Sequence, residues 1–217
     1  MSTITDIVIV GAGGLGREVF AIIEACNSEQ KQWNVVGFLE STSNLIGSKV
    51  SGVPVFGSDD GLDNSVWFVC AIGDSRIRCR IAQEFTNQGR RFASIVHPDV
   101  RIPHSVRIGA GTVVMAGTRF TTDISIGCHV IIYINCGITH DVEIGDFCTI
   151  ATGCNLSGGV ILETGVQLGT AASVLPRRRI GAWTTIGGGS VVTKDIAADC
   201  TAYGVPCRVI EDRVTEK

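Results

Sequence analysis

Of the four histidines in the sequence, His140 alone has a carboxylate beside it, at Asp141, and an asparagine five residues before it, at Asn135. An imidazole oriented by a carboxylate suits general-base work, taking a proton from an incoming nucleophile. Asn135, His140 and Asp141 are therefore the candidate catalytic set. A second grouping is glycine: in GAGGLG (11–16), Gly11, Gly13 and Gly16 have G-x-G-x-x-G spacing directly after the apolar run DIVIV (6–10). Between a strand and a helix, such glycines make a tight turn and aim a helix N-terminus at a phosphate. Glu40, after the next apolar run VVGFL (35–39), has the position of a ribose-binding acid. Phosphate or nucleotide-sugar binding, NAD binding and a purely structural turn all fit this motif. Arg177, Arg178, Arg179 and Lys194 offer charge to phosphates, or form a solvated corner.

The remaining histidines read as structural. His97 precedes Pro98 at a junction, and His104 and His129 fall at positions where a solvated side chain is expected. Their spacings do not stack two imidazoles, so no metal site is expected. Nine cysteines, an odd number without a C-x-x-C pair, argue against a disulfide lattice or zinc cage and read as buried small hydrophobes.

The elements that must position these groups show in the periodicity. From Val96 to Val192 every sixth residue is Ile, Leu or Val, apart from Phe120, and the column three residues later contains none of the three. A period of six over this length specifies a β-solenoid. On its short strands the periodic residue and the one two before it point inward, so the second column should be small or β-branched. Cys136, Cys148 and Cys154 belong to that column; Arg178 breaks it and should distort its corner. Glycines directly after the periodic residue, at 109, 127, 145, 169, 181 and 187, are expected to supply permissive backbone at corners. Three hexads make an 18-residue coil, giving between five and six coils. Thr122, His140 and Gly158 then share one column, and the bare glycine should leave a slot beside the imidazole for an extended ligand.

Upstream, apolar runs at 6–10, 35–39, 66–73 and 92–96 alternate with helical spacing in 18–27 and 76–85, an α/β pattern. The expected organisation is a small Rossmann-like α/β domain over 1–95 and an all-β solenoid with a C-terminal cap over 96–217. A net charge of −3 without a basic stripe excludes a nucleic-acid binder. No apolar run is long enough for a membrane span, and MSTITDIVIVGAG carries no secretory signal, so a cytoplasmic protein without a membrane partner is expected.

The [LIV]-G-x-x-[STAV]-x repeat, with VIVGAGGLGREV, GFLE, AIGD, NCGITHDVEIGDF and YGVPCRVI, resembles the hexapeptide-repeat acyltransferases. Within them it is similar to the PglD/NeuD/PerB-type acetyltransferases of nucleotide-sugar and sialic-acid pathways, over nearly the whole chain. The resemblance implies a left-handed parallel β-helix, acetyl-CoA as acetyl donor, a nucleotide-sugar acceptor and a homotrimer in which His140 faces a neighbour's coils. Closed symmetry of a triangular prism also favours three subunits. NCGITHD resembles the family's N-x-x-x-x-H-[DE], which implies that His140 deprotonates a sugar amine or hydroxyl as it attacks the thioester, with Asp141 orienting the ring.

Carried over residue by residue, the likeness places acetyl-CoA at Thr149, Gly158, Thr170 and Gly188. Gly169 and Gly187 offer bare backbone beside them, and Lys194 offers charge. It places the sugar nucleotide at Gly13, Gly14, Leu15, Glu40 and Gly73, next to Gly11 and Gly16. Relatives often carry histidine where this chain has Thr149, and some carry histidine in place of Leu15 and Asp in place of Glu40. Trp183 would stack an adenine or seal an interface. The expected activity is acetylation of the amino group of a nucleotide-linked amino sugar, such as a UDP- or GDP-4-amino-deoxy sugar, in surface polysaccharide biosynthesis. The alternative is O-acetylation of a sugar or sialic acid. More distant are an NAD-dependent oxidoreductase, which leaves the solenoid unexplained, and a non-enzymatic solenoid, which leaves His140 and Asp141 unexplained.

Overall fold

The computed structural model describes residues 4–41, 44–59 and 61–212. The apolar, β-branched first run forms β1 (Thr5–Val10), whose Ile7, Val8 and Ile9 are wholly enclosed, as a central parallel strand requires. Helix α1 (Gly14–Glu29) covers it with Val19, Ile22 and Ile23. There follow β2 (Trp33–Leu39), β3 (Lys49–Val50), β4 (Val53–Phe56), β5 (Trp67–Cys70), α2 (Ser75–Asn87) and β6 (Arg91–Phe92). Asp74 caps α2 by accepting the Ile77 N–H at 2.8 Å. The sheet order is β3-β4-β2-β1-β5-β6, parallel except for β3–β4. Since β2 and β5 flank β1 on opposite sides, a crevice opens at the carboxyl ends of these strands.

Two features depart from expectation. The β3–β4 hairpin was not foreseen, because its strands are short and carry no sustained alternation. The run 92–96 is not one strand: β6 ends the α/β sheet, while Ile95–Val96 opens the solenoid, its Ile95 N–H donating to the Thr112 carbonyl.

Among the described residues sixteen two-residue strands build the solenoid, on three parallel faces. The first face runs from Ile95–Val96 to Thr185–Ile186, the second from Arg107–Ile108 to Arg179–Ile180, and the third from Arg119–Phe120 to Val191–Val192. Pairing keeps an 18-residue step, as in Ile131↔Thr149 and Gln167↔Thr185. Ile102 is the periodic residue that forms no strand and stands exposed, because the third face begins one coil later.

The corners are made differently from expectation. From Gly111 to Gly189 every sixth residue has φ between 54° and 75°, and these are the positions from which Ile, Leu and Val are missing. Left-handed backbone penalises branched side chains, which accounts for that column. The glycines directly after the periodic residue have no such φ. A Cβ on Gly145 would lie 2.8 Å from the Thr164 nitrogen, and one on Gly169 would lie 2.5 Å from that of Gly188. They are bare because the next coil passes there.

The inward small column also does polar work. Thr112 and Thr118 donate to the carbonyls of Gly127 and Tyr133, fifteen residues on. Cys136, Cys148 and Cys154 make the same contact with Ala151, Glu163 and Gly169 at 3.3, 3.1 and 3.2 Å. These thiols are therefore weak donors inside the coil as well as small hydrophobes. Burial pushes Cys148 and Cys154 up to about 12, which keeps both protonated. Arg178 does not distort its own corner: Ile161↔Arg179 keeps register, and the side chain turns outward to Asp195 at 3.5 Å. The period changes one coil later, where Ile180 bridges Ile196 rather than residue 198. Cys200–Tyr203 and the antiparallel Arg208–Asp212 close that end.

Candidate active site

At the carboxyl ends of β1, β2 and β5 lies a crevice of about 600 Å³ lined by Gly11, Gly13, Glu40 and Ile72. Gly11 has φ 105°, and a Cβ there would be 2.7 Å from the Ala71 carbonyl oxygen. A Cβ on Gly16 would collide with the Gly11 carbonyl, so this glycine lets helix and strand approach. Among the described residues nothing lies within 4 Å of a Cβ built on Gly13 or Gly14 and no side chain caps α1, leaving its N-terminus accessible to an anion. The Glu40 carboxylate accepts the Ala12 N–H at 3.2 Å across the turn. Leu15 is half-buried against the α/β core. Ser58, Asp59, Arg80 and Glu84 also line the crevice and were missed. Arg80 and Glu84 sit on one face of α2 at helical spacing, a pattern that also describes any solvated helix face.

A second depression, about 500 Å³, runs along the first face of the solenoid. It gathers Thr149, Gly169, Thr170 and Gly187, four of the residues assigned to the acyl donor, with Tyr133 and with Gly73 of the α/β unit. Gly188 borders it: a Cβ there would be 3.1 Å from the Thr170 oxygen. Gly158 and Lys194 are not in this groove. They share a column with His140 on the edge between the third and second faces.

On that edge His140 Nδ1 and Asp141 Oδ2 are 2.8 Å apart, and both side chains are well exposed, at 61% and 68%. Neighbours on a strand point to opposite sides. Asp141 instead has φ 59°, and this left-handed corner turns its carboxylate back to the ring. The slot expected over Gly158 is not open, because the imidazole itself leans into it: a Cβ on Gly158 would be 2.5 Å from Nε2. Further along the edge, Arg177 lies over Gly159. Arg179 pairs with Glu163 at 2.5 Å and Arg178 with Asp195, whereas among the described residues no carboxylate pairs with Arg177 or Lys194.

Asn135 is not brought to His140. It occupies the neighbouring edge, before the strand Gly137–Ile138, with its carboxamide against Gly117. Five residues span one whole side of the prism here. The first-face groove and the His140 edge of one chain are likewise on different sides.

His129 is buried rather than solvated, because α2 and β6 pack on its edge. Its ring stacks on Phe147 at 5.2 Å and meets Phe92 edge-on at 4.6 Å, leaving Nδ1 without a hydrogen-bond partner among the described residues. Burial, helped by the Arg78 charge, pushes it down to about 4. The neutral ring is thus favoured by the fold, and the unfolded chain binds the proton first as pH falls below about 6.5. Stability is expected to be full above pH 6.5 and to drop by about 3 kcal/mol on acidification to pH 4. Denaturant titrations of wild type and His129→Phe check this, the variant losing less over the same interval. Trp183 has the Arg76 guanidinium 4.7 Å from its ring centre, a junction contact rather than an open stacking face. Among the described residues no helix is long and apolar enough to cross a membrane.

Residues 6–85 match the family model of the PglD N-terminal domain. GDP-perosamine N-acetyltransferase of Escherichia coli O157:H7 is 30% identical over 92% of this chain and 94% of its own. Galactoside O-acetyltransferase of Lactococcus lactis is 50% identical, but over only 24% of its length. The crystal structure of PerB from Caulobacter crescentus, in complex with CoA and GDP-perosamine, superposes with TM-score 0.85 at 31% identity, covering 97% of this chain and all of that one. The acetyltransferase domain of PglB from Neisseria gonorrhoeae with acetyl coenzyme A gives 0.86 at 28% identity, covering 96% of this chain and all of that one. An α/β unit with an exposed glycine turn, joined to a hexapeptide solenoid and similar over nearly its whole length to the perosamine N-acetyltransferases and the PglB domain, belongs to the PglD/PerB-type family of hexapeptide-repeat acetyltransferases.

Proposed function

We propose that this protein transfers the acetyl group of acetyl-CoA to the amine of a nucleotide-linked amino sugar, with His140 as general base. The observation that carries the reading is the His140–Asp141 pair, exposed on a solenoid edge with Nδ1 held by the carboxylate and Nε2 left as the proton acceptor. The amine nitrogen attacks the thioester carbonyl carbon while Nε2 takes its proton. The tetrahedral intermediate then collapses, the C–S bond breaks, and the proton passes to the departing CoA sulfur. The crevice after β1, β2 and β5 receives the nucleotide, its diphosphate facing the bare turn at Gly13 and Gly14. The groove with Gly169, Thr170 and Gly187 receives the extended donor, and Arg177 and Lys194 are free to meet phosphates at a neighbour's edge.

Because groove and imidazole lie on different sides of one prism, the site closes only between subunits, in a homotrimer. GDP-perosamine, the substrate named for the similar Escherichia coli and Caulobacter proteins, supports an amine acceptor on a GDP-linked sugar. Such a product serves surface polysaccharide assembly, and both substrates suit a cytoplasmic enzyme.

Release of CoA thiol, followed across UDP-, GDP-, CMP- and dTDP-linked sugars with and without an amino group, tests the reading. Rapid release is expected with an amino sugar. Release only with hydroxyl acceptors would replace the reading by O-acetylation, and none with any would overturn it. Asp141→Asn should lower kcat by about tenfold with KM near wild type, since orientation rather than binding is lost. Steady-state kinetics check this, and an unchanged kcat removes the orienting role.

A further inference from the structure

Arg78, on α2, is fully enclosed and ties three segments together. Its Nε donates to the His129 carbonyl at 2.9 Å, and Nη1 to the carbonyls of Ile72 and Gly73 at 2.6 and 3.0 Å. Nη2 donates to the carbonyls of Phe147 and Cys148 at 2.7 and 3.1 Å and to Thr149 Oγ1 at 2.9 Å. Thr149 Oγ1 in turn donates to the Gly73 carbonyl at 3.1 Å and lies 3.2 Å from Ser75 Oγ. Among the described residues no carboxylate pairs with this cation.

A buried charge without a counter-ion is costly, and an apolar side chain would fill the same space without that penalty. What a guanidinium adds is a rigid fork of five donors aimed in fixed directions. Those directions are informative. Ile72 lines the nucleotide crevice, whereas Gly73 and Thr149 line the first-face groove. One planar group therefore fixes a wall of each.

We propose that Arg78 is a positioning residue that sets the spacing between the acceptor crevice and the donor groove, a role that rests on the acetyl-transfer reading above. Arg78 lines neither depression, so each site keeps its own lining when the guanidinium tie is cut. Separate binding should survive, and transfer, which needs the sugar amine within reach of the thioester, should fall.

The test uses the full-length protein with Arg78→Lys, which keeps the charge without the fork, and Thr149→Val. Valine keeps the branched shape, puts a methyl where the hydroxyl was, and so cuts the Arg78–Thr149–Gly73 link without stranding a buried cation. Calorimetry gives Kd for GDP and for CoA separately, and stopped assays give kcat for acetyl transfer. In Arg78→Lys both Kd values are expected within about threefold of wild type, with kcat lower by at least about tenfold. In Thr149→Val, whose side chain also lines the donor groove, the Kd for GDP is expected unchanged and kcat at saturating CoA lower by a smaller factor. Wild-type kcat in the folded variants would overturn the inference. So would a Kd of Arg78→Lys rising in step with its loss of kcat, which would mark Arg78 as a ligand contact or mere support. Should Arg78→Lys fail to fold, Thr149→Val decides through kcat at saturating CoA, a wild-type value overturning the inference. A wild-type protein that binds both ligands but transfers no acetyl would overturn the functional reading itself.

Discussion

Replacing His140 by alanine is expected to lower acetyl transfer by at least about 100-fold, the usual worth of a positioned base, with the fold unaltered. The side chain is 61% exposed and, among the described residues, bonded only to Asp141, so its removal opens no cavity and strands no buried group. Binding of CoA and of the sugar nucleotide should persist, because both depressions are lined by other residues. A variant that unfolds or loses both ligands would contradict this account of the site.

Gly158→Ala is expected to cost about 10- to 100-fold in kcat without touching the base itself. Gly158 does not have left-handed backbone, so alanine is unstrained there; only space is at issue. The added methyl claims the volume that the His140 ring now fills, 2.5 Å from Nε2. The ring is free to swing outward, so stability is spared while the proton acceptor leaves its place. Thermal melts at wild-type temperature together with depressed kcat would support this. Full activity would mean that the ring position over Gly158 is irrelevant to turnover.

Much of this architecture is written in the chain. The six-residue period placed nearly every solenoid strand, since each inward column must be apolar to fill a narrow core. Corner chemistry was readable only in part. The column without Ile, Leu or Val holds the left-handed positions, whereas the glycines after the periodic residue, from which corner backbone is expected, serve coil-to-coil contact. The burial of His129 is not legible in the sequence, because nothing in a local window says that α2 and β6 cover its edge. Asn135 was grouped with His140 by sequence distance, whereas a solenoid carries neighbours five residues apart to different edges. Arg78 carried no signal at all: in RIRCRIAQEF it is one basic residue among three, and its carbonyl partners at 72–73, 129 and 147–148 belong to distant segments.

The most direct measurement is the mass and NMR spectrum of a nucleotide amino sugar after incubation with acetyl-CoA and either wild-type protein or His140→Ala. The wild type is predicted to add one acetyl group, on nitrogen, and the variant to leave the sugar essentially unchanged over the same time. An acetyl group on oxygen, or equal product from both proteins, would contradict the central claim.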